Sequence, residues 1–211
     1  MTEIKVNKNE TRTRETRELL LKAAETIFVR DGYEGAELGE IAALAGRTKG
    51  SIYANFKSKE DIFLALIEQH TARSRAKMEG MLAESDSIEG NLAALRRFYL
   101  EQVEDKAWAL LFLEFKLFSI RHPESKEKLL KHFEAVRGSG RETRLAEVLG
   151  AAGTGEDSLS RVMAVHALSP MLSGLVIETN FVPDLFEEEA VKKITNRVFD
   201  ALLEPASSVG K

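Results

Sequence analysis

The chain has 211 residues, a net charge of −4 and no cysteine. This length allows one or two domains with a buried core, and the lack of cysteine excludes disulfides, thiolate metal sites and cysteine nucleophiles. No run of about 18 apolar residues indicates a membrane span, and no apolar signal region opens the sequence, so we expect a water-soluble cytoplasmic protein. The negative net charge argues against a protein that coats nucleic acid, although local clusters of cations remain.

Almost the whole sequence is predicted to be helical, because only four prolines occur and no alternating β-branched pattern is sustained. We therefore predict an all-α fold of about nine helices. They are expected at about residues 13–31, 38–45, 49–55, 58–83, 90–104, 106–121, 123–150, 156–181 and 187–203.

Residues 38–59 carry the most informative pattern in the sequence. Ala42 allows two helices to approach closely, Gly46 suits a turn that needs a positive φ, and Ile52 would pack the second helix onto the first. From residue 41 onwards this segment has four basic residues and no acidic one. A short helix presented on a cationic turn is the arrangement that enters the major groove of DNA. The alternative is an ordinary helical hairpin with a solvated basic end.

Several motifs around this segment point to a known family. They are Asp31-Gly32-Tyr33, Ile41-Ala42-x-x-Ala45-Gly46, Lys49-Gly50-Ser51-Ile52-Tyr53 and Phe56-x-Ser58-Lys59-Glu60. Through them, residues 15–70 resemble the N-terminal domain of TetR-family transcriptional repressors, and the rest of the chain resembles the family's C-terminal domain only loosely. The resemblance implies an N-terminal three-helix helix-turn-helix DNA-binding domain and a C-terminal helical domain for ligand binding and dimerisation.

The domain boundaries follow from the predicted helices and this resemblance. We expect a flexible basic arm at 1–12, a DNA-binding domain at 13–60 with the helix-turn-helix at about 37–56, a connecting helix at 61–83, an effector-binding and dimerisation domain at 84–205, and a frayed tail at 206–211.

The resemblance also implies which residues meet DNA. Thr48 would cap the recognition helix, Gly50 would permit close backbone approach, and Lys59 would hold a phosphate at the start of the fourth helix. The implied set is Arg47, Thr48, Lys49, Gly50, Ser51, Tyr53, Asn55 and Lys59. Three residues depart from the family's usual pattern. Ala36 stands where a Thr commonly caps the second helix, Gly39 replaces a frequent cation, and Arg47 replaces an apolar turn residue.

The segment 5–17 has five cations and two acidic residues. Arms of this kind in the family can follow the minor groove, so Arg12, Arg14 and Arg17 are candidate DNA contacts. The alternative is a disordered arm without a role.

An aromatic stripe at spacings of three and four runs from Trp108 to His122. Such a stripe is first of all a buried helix face, with Glu114 and Arg121 beside it as surface residues or helix-packing partners. The alternative is that one of these charges pairs with a polar group of a ligand. In a TetR-like protein the stripe could also line an effector cavity suited to a partly apolar molecule. Pro170 should bend its helix, and in this second interpretation the bend opens room for a ligand. The candidate pocket residues are Trp108, Phe112, Phe115, Phe118 and Pro170.

The last two predicted helices carry long apolar faces that more readily form a four-helix interface with a second copy than bury themselves in one small domain. The candidate residues of this twofold homodimer interface are Val162, His166, Leu172, Leu175, Val191, Ile194, Val198 and Leu202.

These observations predict a ligand-responsive transcriptional regulator that is not an enzyme and needs no cofactor or metal. A dimer would bind a palindromic operator in double-stranded DNA as a repressor, and a small-molecule effector would release it. The four histidines show no metal-binding spacing, and no catalytic constellation stands out. The alternative is an all-helical ligand-binding or protein-interaction module without DNA readout.

Overall fold

The computed structural model describes residues 8–123, 141–150 and 161–203. Within these ranges the chain is all-α, as predicted. The helices are α1 (Lys8–Gly35), α2 (Leu38–Leu44), α3 (Lys49–Asn55), α4 (Lys59–Leu82), α5 (Ile88–Gln102), α6 (Lys106–Arg121), α7 (Arg141–Val148), α8 (Arg161–Phe181) and α9 (Glu188–Leu203). Four predicted segments lie partly or wholly outside the described residues. These are residues 1–7 of the arm, residues 124–140 of the helix at 123–150, residues 156–160 of the helix at 156–181, and the whole tail at 206–211.

Helix α1 is longer than its predicted range of 13–31. It begins at Lys8, so residues 8–12, which we expected in a flexible arm, are helical. No proline or glycine interrupts this segment, and its arginine and glutamate are good helix formers. At its other end the helix breaks at the predicted glycine, Gly32, whose φ of 71° and ψ of 177° lie outside the helical region.

The chain divides into two compact units whose limits differ from the predicted domain boundaries. The first unit contains the described residues up to His70 together with those from Leu111 to Pro123. Its core is fully buried and comes from α1, α2, α3 and α4. The residues at its centre are Leu20, Ala24, Ile27, Phe28, Ile41, Ile52, Ile62 and Phe63.

The second unit contains the C-terminal part of α4, the first turn of α6, and helices α5, α7, α8 and α9. The hydroxyl of Tyr99 on α5 donates a hydrogen bond to the carbonyl of Val165 on α8, at 3.0 Å. Arg96 on α5 pairs with Asp200 on α9 at 2.5 Å and lies over the ring of Phe199, 4.6 Å from its centroid. Helix α5 is therefore fixed to both α8 and α9 within this unit.

Helix α8 is unusually apolar for a helix of which much is exposed. Among the described helices it alone is long and apolar enough to cross a membrane, over Val162–Phe181, a test that core helices of soluble proteins also pass. Only 33% of that window is buried. Met163, Met171 and Phe181 are exposed, and so is Pro170, through which the helix continues.

Candidate DNA interface and its connection to helix α6

Helices α2 and α3 form the predicted helix-turn-helix. Ala42 and Ile52 are 1% and 0% exposed, so the two helices pack closely in the expected way. Gly46 has a φ of 63°, which confirms the turn conformation that the sequence predicted. Thr48 is the N-cap of α3, and its hydroxyl oxygen accepts a hydrogen bond from the amide of Ser51 at 3.3 Å.

The start of α2 differs from the expectation. Its N-cap is Glu37, in an extended conformation and without a side-chain capping hydrogen bond. Ala36 comes one residue earlier and is 3% exposed, so it is a core residue rather than the cap of this helix. Arg30 on α1 instead connects to α2 through an ion pair with Glu40 at 2.6 Å. It also pairs with its neighbour Asp31 at 2.7 Å. The hydrogen bond from Arg30 holds the pKa of Asp31 below its usual value.

The outer surface of α3 and its preceding turn is open and polar. Arg47, Thr48, Lys49 and Gly50 are exposed, as is Lys57 beyond the helix. Tyr53 is an aromatic residue on this surface with 56% of its area exposed. An exposed tyrosine beside cations, on a helix whose opposite side is fully buried, has the geometry of a surface that contacts another molecule.

Two residues assigned to this surface by the resemblance are engaged within the protein. Ser51 and Asn55 are half-buried, and the Nδ2 of Asn55 donates to the carbonyl of Ser51 at 2.8 Å. The bond spans four residues of α3, so it helps to close the last turn of the helix.

Lys59 is likewise occupied inside the first unit. Its Nζ donates to the carbonyls of Glu34, at 3.0 Å, and Ala36, at 3.2 Å. The same ammonium lies 4.9 Å from the ring centroid of Tyr33. Lys59, at the start of α4, thus donates to carbonyl groups at and just after the end of α1. The sequence had led us to expect a phosphate contact for this side chain.

The three arginines proposed for the minor groove lie on α1 and differ in their surroundings. Arg12 and Arg14 are exposed. Arg17 is half-buried, and its Nη1 donates to the carbonyl of Asn55 at 3.1 Å. The structure therefore separates one of these cations from the other two.

Comparison with known proteins agrees with this geometry. Residues 20–66 match the bacterial regulatory proteins of the tetR family. The transcriptional repressor AcnR of Corynebacterium efficiens is 32% identical over 126 residues, which are 58% of this chain and 62% of that protein. The family match assigns residues 20–66, which contain the helix-turn-helix, to the tetR family. The chain matches less than two thirds of the length of AcnR.

Solved structures of other regulators share the fold over nearly the whole chain. A transcriptional regulator from Rhodococcus sp. Rha1 has a TM-score of 0.68 at 21% identity, covering 92% of this chain and 99% of its own. FadR from Bacillus subtilis, solved in complex with stearoyl-CoA, has a TM-score of 0.62 at 21% identity, covering 89% of this chain and 97% of its own. At this identity the likeness establishes the fold.

The aromatic stripe of α6 packs into the first unit from Phe115 onwards. Phe118 lies 4.4 Å from Tyr33 and 6.3 Å from Phe63, measured between ring centroids. Phe115 lies 6.4 Å from Phe63. Phe115 and Phe118 are buried, at 8% and 6% exposed, so the packing interpretation accounts for these two.

Of the remaining candidate pocket residues, Phe112 stacks on Phe115, with their ring centroids 6.2 Å apart. Trp108 is buried in the second unit, where Pro170 is exposed on α8. Phe112 is half-buried, and the Nζ of Lys116 lies 4.4 Å from its ring centroid. Burial lowers the pKa of Lys116.

Glu114 gives α6 a polar contact with the end of α1. Its Oε2 accepts a hydrogen bond from the amide of Tyr33 at 3.3 Å. A Cβ placed on Gly32 would lie 3.3 Å from its Oε1, so the glycine also makes room for the carboxylate. Burial, with smaller effects of Glu60 and Glu34, raises the pKa of Tyr33 to about 12. The sequence left Glu114 as either a surface or a packing residue, and its partner in the structure is 81 positions away.

The candidate dimer residues divide into two groups. Leu172 and Val191 are 4% and 5% exposed and belong to the core of the second unit, so they are not available to a second chain. Ile194 is exposed, whereas Val162, His166, Leu175, Val198 and Leu202 are half-buried. Between residues 161 and 203, the most exposed large apolar side chains are residues that the candidate set omitted, namely Met163, Met171, Phe181 and Leu185. Since neighbouring positions on a helix are about 100° apart, apolar sequence alone did not fix which side faces outward.

Among the described residues no group of three or more His, Cys, Asp or Glu side chains could hold a metal ion.

Proposed function

We propose that this chain is a DNA-binding transcriptional regulator that acts as a repressor. The observation that carries the proposal is the exposed surface of α3, where Lys49, Gly50 and Tyr53 follow the Thr48 cap. Lys49 would contact a phosphate or base edge, and Tyr53 would meet the groove. The related AcnR of Corynebacterium efficiens is a transcriptional repressor, which supports repression over activation. Such a role would place the protein with the chromosome in the cytoplasm.

The proposed DNA-binding form is a twofold homodimer. Two thirds of the apolar window of α8 is not buried within the chain, and Met163, Met171 and Phe181 are exposed on it. A second copy that covers these residues would remove apolar surface from water. Two copies would then carry two α3 helices about 34 Å apart, so the operator would be palindromic.

A small, partly apolar molecule is the proposed effector. FadR, which shares the fold, was solved with stearoyl-CoA, an amphiphile with a long apolar chain. Helix α6 contributes to both compact units of this chain, and its C-terminal half packs on α1 and α4. An effector that displaces α6 would therefore act on the helices that support α3. Complete release of DNA requires a difference in effector affinity of about 5 kcal/mol between the two states.

The experiment that tests DNA reading is selection of duplexes from a random-sequence library by the full chain, followed by affinity measurements on the recovered sequence. We expect a palindrome whose half-site centres are about one helical turn apart. Tyr53→Ala should weaken binding to it at least fivefold, or by about 1 kcal/mol, and leave thermal stability unchanged.

Ile120→Ala is the matched control, because Ile120 is an exposed apolar residue, at 72%, on α6. It should bind the selected duplex as the wild type does. A wild-type chain that enriches no sequence would contradict the proposal and favour a helical ligand-binding or protein-interaction module.

A further inference from the structure

Arg17 connects α1 to the C-terminal end of the recognition helix α3. Its Nη1 donates to the carbonyl of Asn55, the last residue of α3, at 3.1 Å. Its guanidinium carbon lies 4.3 Å from the ring centroid of Phe56, which is 4% exposed. The guanidinium thus makes a charged hydrogen bond and a cation–π contact at the point where α3 ends.

The end of a helix is where such a contact has most effect. The last carbonyls of a helix have no amide partner within it, and the negative end of the helix dipole favours a cation. In α3 the carbonyl of Ile52 accepts from the amide of Phe56 at 2.8 Å, and Arg17 provides a donor for Asn55. Because α3 has only seven residues, these contacts hold a large part of it.

The two ends of α3 are therefore fixed by different elements. The Thr48 hydroxyl caps the N-terminal end from within the turn, and Arg17 holds the C-terminal end from α1. Lys49 and Tyr53 lie between them and are exposed. A change in the angle of α3 would move these two side chains relative to the groove, and Arg17 opposes such a change.

We propose that Arg17 is a positioning residue for DNA reading. It acts by holding α3 at the angle at which Lys49 and Tyr53 meet the operator, and it makes no phosphate contact of its own. This proposal rests on the proposed function, because it assigns a role within DNA reading.

Arg14 provides a matched comparison on the same helix. It is an exposed arginine three residues before Arg17. Arg17→Gln and Arg14→Gln remove the same charge from the same helix, and glutamine has a helix propensity close to that of arginine. The two variants thus differ in the contact with α3.

The first measurement uses the full chain without DNA. Amide hydrogen exchange at residues 53–56 should become about tenfold faster in Arg17→Gln and remain unchanged in Arg14→Gln. Exchange in the core of α1 and α4 should be the same in all three proteins, which shows that each variant is folded.

The second measurement compares affinity for the duplex selected by the wild type with affinity for a mixed-sequence duplex of equal length, across a range of NaCl concentrations. Arg17→Gln should bind the selected duplex about tenfold more weakly, bind the mixed duplex as the wild type does, and keep the wild-type salt dependence. Loss of a phosphate contact would instead weaken binding to both duplexes and reduce the slope of log K against log salt concentration by about 0.9.

Unchanged amide exchange in Arg17→Gln, or a reduced salt slope, would overturn the positioning role while leaving DNA binding by the chain intact. A wild-type chain that selects no sequence would overturn the proposed function, and the role of Arg17 in reading would fall with it. Faster exchange together with lost preference for the selected duplex would support the proposal.

Discussion

The outer surface of α3 and the aromatic stripe of α6 are both regions that the sequence offered as binding surfaces, yet they differ in burial. Tyr53 on α3 is 56% exposed, whereas Phe115 and Phe118 on α6 are 8% and 6% exposed. The core on the opposite side of α3 is complete without Tyr53. The phenylalanines of α6, in contrast, lie against Tyr33 and Phe63, so they are part of a core themselves. An aromatic residue left outside a complete core marks a contact surface better than an aromatic stripe does.

The contacts among α6, α1 and α4 provide a route for the proposed response to an effector. The stripe and the Glu114 carboxylate join α6 to the end of α1, and Lys59 joins that same end to α4. Three helices thus meet at the break after Asp31, a short distance in sequence before α2. In the proposed mechanism, motion of α6 would reach the end of α1, just before α2, through these contacts, and the exposed surface of α3 would contact DNA.

The largest expected effect comes from Phe118→Ala. Removing a buried ring that packs on Tyr33 and Phe63 should lower the free energy of unfolding by about 3 kcal/mol, measured by urea denaturation. Ile120→Ala, two residues away and 72% exposed, should change it by no more than about 0.5 kcal/mol. If Phe118→Ala were as stable as Ile120→Ala, the stripe would be a cavity wall, and the contrast with α3 would be lost.

Two glycines with positive φ sharpen the comparison. Gly32 has a φ of 71° and a ψ of 177° and lies against Glu114, whereas Gly46 has a φ of 63° and has no atom within 4 Å of an added Cβ. Gly46→Ala should cost about 1 kcal/mol from backbone strain alone. Gly32→Ala should cost more, about 3 kcal/mol, because its φ and ψ are nearly restricted to glycine and the carboxylate must also move.

Thermal or urea unfolding of both glycine variants measures this difference, and the background Glu114→Ala provides the control. In that background the cost of Gly32→Ala should fall by about 1 kcal/mol, whereas that of Gly46→Ala should remain unchanged. A cost of Gly32→Ala that is the same with and without the Glu114 side chain would show that this contact is loose.

The sequence predicted the helix-turn-helix well because its signals are local. The cap at Thr48, the turn at Gly46 and the packing of Ile52 on the preceding helix depend on neighbours within a few positions. The partners of Arg17 and Lys59 could not be predicted in this way. A cation has no sequence signal for what it will contact, and these two contacts join residues 38 and 25 positions apart.

Helix faces show the same limit. Periodicity identified α6 and α8 as helices, but it did not specify whether Phe118 lines a cavity or whether Leu172 faces the core. Both answers depend on the rotation of a helix about its own axis. That rotation is set by the surrounding helices, since an apolar residue gains the same free energy from burial against any of them.

The smallest expected effect concerns the hydroxyl of Tyr33, whose ring packs against Phe118 in the buried aromatic region. Burial raises its pKa to about 12, above its ordinary value of 10.0. Below pH 10 the phenol is protonated in both the folded and unfolded states, so it has no effect on stability. Between pH 10 and 12 the unfolded chain loses this proton and the folded chain keeps it, so stability falls as pH rises. Because the side chain is half-buried and solvent screens part of the shift, we expect a loss of only about 1 kcal/mol.

Tyr33→Phe isolates this effect because it keeps the ring and its contacts. Urea unfolding of both proteins at pH 8 and at pH 11 should show a smaller decrease for the variant, by up to about 1 kcal/mol. Both proteins share every other titratable group, so those contributions cancel in the comparison. An equal decrease in the two proteins would mean that water reaches the hydroxyl freely. Water would then reach the edge of the cluster formed by Tyr33, Phe63 and Phe118. The burial of this cluster and the exposure of Tyr53 would differ less than the comparison assumes.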